Sequence, residues 1–449
     1  MLGIRKGTGV LGVAIMVSSC ADEEVLASRD LQCSDDDTIG VSTEALTLDD
    51  GGLPGTGEVG CASATTLGAL ASCLRDTMPV SGSDGYDPPS AAALGELRAA
   101  VSRMLNGHCD FDLGPNVAPV MKLRPFTDME NGKRYCVLLE TDDTNADGFV
   151  DHGWGTFIVD PTATRELSHQ APHPIADIDT EVQAIEMFKQ TDSRSFLLCG
   201  AHRNASTMRA CDTKYRKADC AHDTDSLFFV ASREIASFYG GRPHTQIQWH
   251  GMGKEVCPGV TAYLSPGLSG APPTGAPVRK LDAEVEAHNP QWSVKMPGSG
   301  TCVMHAEDNV EGRLLNGVAA ESACSVEATA TSGSFVHIEQ KRNARDPKRW
   351  LDPVTRAFPI PDPTPPTAVD AATSPGQVSV SWVASNGASR YEVRRSTTSG
   401  GPYDLVATVT TTSWVDTDVV TRLRYFYVVT ATNARGTSVY STQTVARAR

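Results

Sequence analysis

Phe335-Val336-His337-Ile338-Glu339-Gln340 alternates with period two, which puts Phe335, His337 and Glu339 on one face of a strand. A carboxylate at the end of such a strand can deprotonate a metal-bound water and pass the proton to a leaving amine. The plainer alternative is a solvated acid on an edge strand. Upstream, residues 136–140, 156–159, 195–200, 245–249, 261–264 and 303–305 share this strand character. Residues 181–190 carry Val182, Ile185 and Phe188 on one helical face, and 226–239 read as a second helix. Such alternation predicts an α/β central domain, a mixed sheet with flanking helices. Sites in these sheets collect just past the carboxyl ends of strands, where His202, His250 and Glu339 fall.

All eleven histidines lie between His108 and His337, so the chemistry is expected in this middle region. Residues 171–181 form a proline-stiffened loop that carries His173, Asp177, Asp179 and Glu181 into a helix. A histidine and a carboxylate from one loop, with a histidine from a distant strand end, commonly hold catalytic zinc and leave a fourth position for water. His250 is the natural distant ligand, and Gly251 after it would let a substrate approach. The spacing leaves open which acid completes the set. His202, Arg203 and His222 are candidates for binding substrate oxyanions or carboxylates, and Arg313, Arg342 or Arg345 could take a carboxylate in a bidentate contact. Each has a structural alternative, a packed histidine or a surface arginine. Separately, residues 143–151 match the first nine positions of a calcium loop, with Asp143, Asn145, Asp147 and Asp151 as oxygen ligands and Gly148 at the turn. The twelfth position is Trp154 instead of Glu, so any calcium is expected to be weakly held and structural.

The formal charge of −15 sits mostly in residues 21–60, which hold eleven acids and one base, Arg29. No basic stripe interleaved with aromatics occurs, which argues against nucleic acid as a partner. Arg5 and Lys6 precede an apolar run that ends in Val17-Ser18-Ser19-Cys20, and this resembles a bacterial lipoprotein signal with lipidation at Cys20. The expected division is a signal over 1–19, an acidic flexible tether over 20–89, the catalytic domain over 90–357, a proline-rich linker over 358–367 and a last domain over 368–449. Ala21 after the lipidated position favours display at the outer membrane or cell surface, so contact with a membrane would be through the anchor alone. Setting Cys20 aside leaves eleven cysteines, an odd number in a disulfide-permissive compartment. The expectation is Cys211 with Cys220, Cys257 with Cys302, and Cys199 as a free buried thiol.

Beyond the linker, short alternating runs at regular spacing predict an all-β sandwich. Val378-Ser379-Val380-Ser381-Trp382, Tyr391-Glu392-Val393, Trp414 and the run Tyr425–Ala431 resemble a fibronectin type III domain. The resemblance implies a tyrosine corner at Tyr425, a core Trp382, and a role in spacing or in adhesion to a cell-surface polymer. The central region is similar to zinc-dependent carboxypeptidases and amidohydrolases, including N-formylglutamate amidohydrolases and poly-γ-glutamate hydrolases. That similarity implies His173 and Glu181 as early metal ligands, His250 as the third and Glu339 as general base, with Asp177 a rival to Glu181. The resulting expectation is a lipid-anchored zinc hydrolase of the bacterial envelope that cleaves an amide in a peptide or amino-acid-like substrate. The competing expectation is a non-catalytic adhesin or ligand-binding lipoprotein.

Overall fold

Strand Phe335–Gln340 is a central member of a nine-stranded mixed sheet in the computed structural model, which describes residues 61–211 and 214–449. In chain order the strands are β1 (Met121–Thr127), β2 (Arg134–Glu140), β3 (Thr156–Val159), β4 (Arg165–Ala171), β5 (Ser193–Leu198), β6 (Thr245–Gly251), β7 (Ala262–Ser265), β8 (Val294–Lys295) and β9 (Phe335–Gln340). Their spatial order is β1-β2-β3-β5-β4-β6-β9-β7-β8. The middle four, β5, β4, β6 and β9, run parallel. The chain leaves β4 for β5 on one side and then crosses to β6 on the other, so the order reverses at the carboxyl end of β4. Crevices at such reversals are where ligands bind in open sheets.

Helices cover both faces. One core packs α1 (Leu67–Asp76), α3 (Thr180–Gln190), α5 (Pro277–His288) and α7 (Leu351–Ala357) on Ile247, Trp249, Val336 and Ile338. The other packs α2 (Ala91–Leu105) and α4 (Leu227–Tyr239) on Leu138, Phe157 and Leu197. The seventh helix, α6 (Val310–Leu315), is capped by Asn309, whose side chain accepts from Gly312 N. Trp249 meets Trp350 edge-on at 5.1 Å between ring centroids, a favourable aromatic geometry that locks α7 to the sheet.

Several expectations change. The fold begins before residue 90: Cys61 bonds to Cys73, and α1 buries Leu67, Leu70 and Leu74 against the core. Only the part of the tether before Cys61, with the signal, Cys20 and Cys33, lies outside the described residues. Residues 303–305 form no strand; they are a loop, with Val303 64% exposed. Cys199 is not free. It pairs with Cys220, Cys211 pairs with Cys324, and a fourth bridge joins Cys109 to Cys136. Cys257 with Cys302 is as expected. Sequence spacing cannot supply such connectivity, because the loop after β5 folds back and sets Cys220 beside the strand end. Five bridges among the described residues place this protein in an oxidising, extracytoplasmic compartment.

After the linker, strands β10 (Thr367–Ser374), β11 (Gln377–Val383), β12 (Arg390–Ser396), β13 (Asp404–Val409), β14 (Ser413–Asp416), β15 (Arg424–Asn433), β16 (Gly436–Thr437) and β17 (Thr444–Arg447) form two sheets. One is β10-β11-β14; the other is β13-β12-β15 with β16 and β17 on β15. The inner faces meet around Val380, Trp382, Tyr391 and Tyr427. The linker does not hold the domains apart. The buried Arg194 guanidinium donates to Ala163 O and Ala388 O, both at 3.0 Å, and Glu166 accepts from Gly387 N across the same seam.

Candidate metal centre

The centre is built at the carboxyl ends of β4, β6 and β9. Two residues after β4, the His173 carbonyl accepts from Asp177 N at 2.8 Å, closing a turn that brings the two side chains together. Asp179 then adopts a left-handed φ of 71° at the start of α3, which turns the chain away. His250 stands at the end of β6 on the same face as Gln246 and Gln248.

Three atoms converge here. His173 Nδ1 lies 3.2 Å from Asp177 Oδ2 and 3.2 Å from His250 Nδ1, while His250 Nδ1 lies 3.4 Å from Asp177 Oδ2. All three residues are buried. Ligands bound tetrahedrally to zinc at roughly 2.0–2.1 Å stand about 3.3–3.4 Å apart, so these atoms are spaced as three corners of such a site. The opposite nitrogen of His173, Nε2, meets Asp219 Oδ1 at 3.0 Å, and Asp219 in turn meets His222 Nδ1 at 2.8 Å. A carboxylate behind a ligating histidine fixes its orientation and raises its basicity. His250 Nε2 faces Gln248 Oε1 at 3.3 Å.

The electrostatics call for positive charge at this point. Burial opposes charge on His173, yet Asp219 and Asp177 outweigh it and raise it to about 9. Asp177 is held well below the usual carboxylate range against its burial by the His173 and His250 contacts. Burial pushes His250 down to about 4. Farther out, burial opposes charge on His222 as well, but Asp219 and Asp308 lift it to about 9.

Glu339 and His337 look into the same cavity, of about 570 Å³. His337 Nε2 is 3.6 Å from Glu339 Oε1, and both Glu339 Oε2 and His337 Nδ1 are buried without a hydrogen-bond partner. Burial and the charge of Asp177 push the Glu339 carboxyl up to about 8.

Other candidates separate. Glu181 lies apart from the convergence: it sits in the first turn of α3, where Oε1 accepts from Arg75 Nη1 of α1 at 2.6 Å. Asp177, the rival to Glu181, stands at the convergence. Arg203 lines the cavity; His202 does not, and its Nδ1 accepts from Asn204 N. His222 lines the cavity, with Asp219, not the adjacent Asp223, as its near partner. Arg313 donates to the carbonyls of Glu307, Ala323 and Cys324, so it braces loops and takes no carboxylate. Arg345 donates to Ile178 O of the His173 loop. A Cβ on Gly251 would stand 2.0 Å from Arg345 Nη2, so this glycine makes room for the arginine and not for substrate. In the calcium-like loop, Asp143, Asn145 and Asp147 accept from the loop's own amides, and Asp151 accepts from Thr144. Reading from sequence missed Asp219 and Gln248. The His222 spacing of i+3 was the available hint for the first, and the alternation with His250 for the second.

Comparison with known proteins bears on the C-terminal part. A segment of 86 residues is 40% identical to the amylopullulanase of Thermoanaerobacterium saccharolyticum, covering 19% of this chain and 7% of that protein. A segment of 75 residues is 36% identical to the amylopullulanase of Thermoanaerobacterium thermosulfurigenes, covering 16% of this chain and 4% of that one. This chain therefore spans less than a tenth of the length of these curated relatives. A crystal structure of an Fn3-like protein from Clostridium thermocellum is 36% identical over 19% of this chain and 94% of its own, with a TM-score of 0.19. Within the domain, Val420 N donates to Tyr425 Oη at 2.9 Å, the corner contact of such sandwiches. The C-terminal domain is fibronectin type III-like. Trp382 packs on Tyr391 in its core, at 5.3 Å between centroids. No family profile matches the chain.

Proposed function

We propose that the central domain is a metal-dependent hydrolase that cleaves an amide or peptide bond in an extracytoplasmic substrate, with zinc held by His173, Asp177 and His250. The observation that carries this reading is the convergence of two imidazole Nδ1 atoms and one carboxylate oxygen at 3.2–3.4 Å in a buried corner of an open cavity. Two nitrogens and one oxygen suit zinc, and an open fourth position suits catalysis. When bound, the metal supplies a Lewis acid and an acidified water. Glu339 would serve as general base and then, carrying the proton on its carboxyl group, as general acid toward the departing amine. Arg203 on the cavity wall offers a guanidinium to the substrate's carboxylate or to negative charge that develops on its carbonyl. The cavity is within the usual size for small-molecule sites, so one or two residues of a peptide-like chain fit.

The C-terminal domain, on this reading, engages a cell-surface polymer. A lipid at Cys20 would keep the enzyme at the envelope surface. Elemental analysis of the purified chain tests the central claim: about one equivalent of zinc is expected, removable by chelation with loss of hydrolysis. Folded protein that takes up no zinc overturns it. For the loop at 143–151, calcium is proposed as a structural ligand only. Adding millimolar calcium should then raise the unfolding midpoint and chelation should lower it; an unchanged midpoint in both removes calcium from the account.

A further inference from the structure

The side chains of Gln170, Gln246 and Gln248 are fully buried on the face of β4 and β6 that packs against α4. Burial of three amides in a sheet core is costly unless each is paired, and here each is. Their order has a direction that two backbone groups set. Ser232 O, on α4, can only accept, so Gln246 turns its Nε2 to it at 3.0 Å. Gln246 Oε1 then accepts from Gln170 Nε2 at 2.6 Å, and Gln170 Oε1 accepts from Gln248 Nε2 at 3.2 Å. Gln248 is left with Oε1 toward His250 Nε2 at 3.3 Å.

The second anchor is independent. Gly312 N, at the start of α6, can only donate, and it donates to Asn309 Oδ1 at 2.8 Å. Asn309 must therefore present Nδ2 to its other neighbour, which is Gln248 Oε1 at 2.7 Å. Both anchors place an oxygen, not an NH₂, opposite His250. A neutral imidazole carries one proton, and His250 has two acceptors for it, Asp177 Oδ2 at 3.4 Å from Nδ1 and Gln248 Oε1 at 3.3 Å from Nε2; a metal at Nδ1 requires the proton on Nε2.

We infer that Gln248 is a positioning residue: the amide ladder Gln246-Gln170-Gln248, fixed at Ser232 O and braced by Asn309, holds an oxygen ready for the His250 Nε2 proton and so favours the tautomer whose Nδ1 is free for a metal over the one that gives its Nδ1–H to Asp177. This rests on the metal site proposed above and assigns how its third ligand is readied before metal arrives. Alternation along β6 is what allows it, since residues 246, 248 and 250 share a face. The ladder also explains why amides stand where apolar side chains would pack more cheaply.

Gln248→Met keeps the length and removes the acceptor. In the full chain, zinc affinity measured against a chromophoric chelator should fall about 10–100-fold, the usual effect of losing an outer partner of a ligating histidine. Gln248→Glu retains an oxygen for Nε2 and should bind zinc more tightly than Gln248→Met by about the same 10–100-fold margin, which separates loss of the acceptor from loss of the fold. Nitrogen-15 shifts of the histidine rings in zinc-free protein should show a larger share of the Nε2-protonated form of His250 in the parent chain than in Gln248→Met. Parent protein that takes up no zinc defeats the metal site itself. Parent protein that binds zinc while Gln248→Met binds it equally well, or Gln248→Glu binding as weakly as Gln248→Met, overturns the ladder's role and leaves the metal site standing.

Discussion

Replacing Glu339 by Gln is expected to lower turnover by about 10²–10⁴-fold, the usual contribution of a positioned general base, while the protein keeps its zinc. The residue is 5% exposed, and Oε2 has no hydrogen-bond partner, so the substitution breaks no hydrogen bond at that oxygen. Without a cation beside it, burial and Asp177 raise its carboxyl to about 8, a neutral acid that Gln copies closely in shape and charge. Stability should therefore change little, and activity loss cannot be put down to unfolding. The measurement also separates two placements of the metal. His250, His337 and Glu339 form a second group of potential ligands, with ligand atoms within 4.8 Å of one another. If zinc is lost together with turnover in Glu339→Gln, the metal sits in that second group and the base lies elsewhere. If zinc stays and turnover goes, the His173, Asp177 and His250 placement stands.

The strands that sequence revealed are those with apolar faces, such as β3 and β5, where Phe157, Ile158, Phe196 and Leu197 are all buried. Of the three it missed, β1, β4 and β8, the second matters most. Strand β4 reads Arg-Glu-Leu-Ser-His-Gln-Ala, and no hydropathy pattern marks it, because its buried polar groups are satisfied by neighbours distant in the chain. Gln170 joins the amide ladder on one face, and on the other His169 accepts from Trp249 Nε1 at 3.1 Å. Local pattern cannot report a partner 80 residues away. The same limit hid Asp219, 46 residues from the histidine it contacts and brought there by the loop that the Cys199–Cys220 bridge closes. By contrast, His250 and Glu339 were visible because each ends a strand, and His173 because it shares a proline-stiffened loop with acids; parallel strands then bring their carboxyl ends to a common edge. The sandwich was legible because its packed residues, among them Val378, Val380, Trp382, Tyr391 and Val393, are apolar or aromatic in alternation.

The choice between Asp177 and Glu181 gives the second large effect. Asp177→Ala is expected to lower zinc affinity by well over the roughly 10–100-fold that an outer partner costs, because it removes a direct ligand and the charge that balances the cation. Glu181→Ala should leave zinc content unchanged. Its loss is a matter of stability: Glu181 is fully buried, and Arg75, 29% exposed, would lose its 2.6 Å partner. Arg75 can turn partly to water, so the cost is near that of one charged hydrogen bond, about 1.5–3 kcal/mol, seen as a lower unfolding midpoint. The two variants thus fail in opposite assays, one in metal binding and one in thermal unfolding. The physical reason is the turn at Asp177 and Asp179. A hydrogen bond across four residues folds His173 and Asp177 onto one point, whereas four further residues of chain enter α3 and carry Glu181 round to face α1. Zinc lost from Glu181→Ala but retained in Asp177→Ala would mean that the loop rearranges on binding and that the ligand set is the one implied by resemblance.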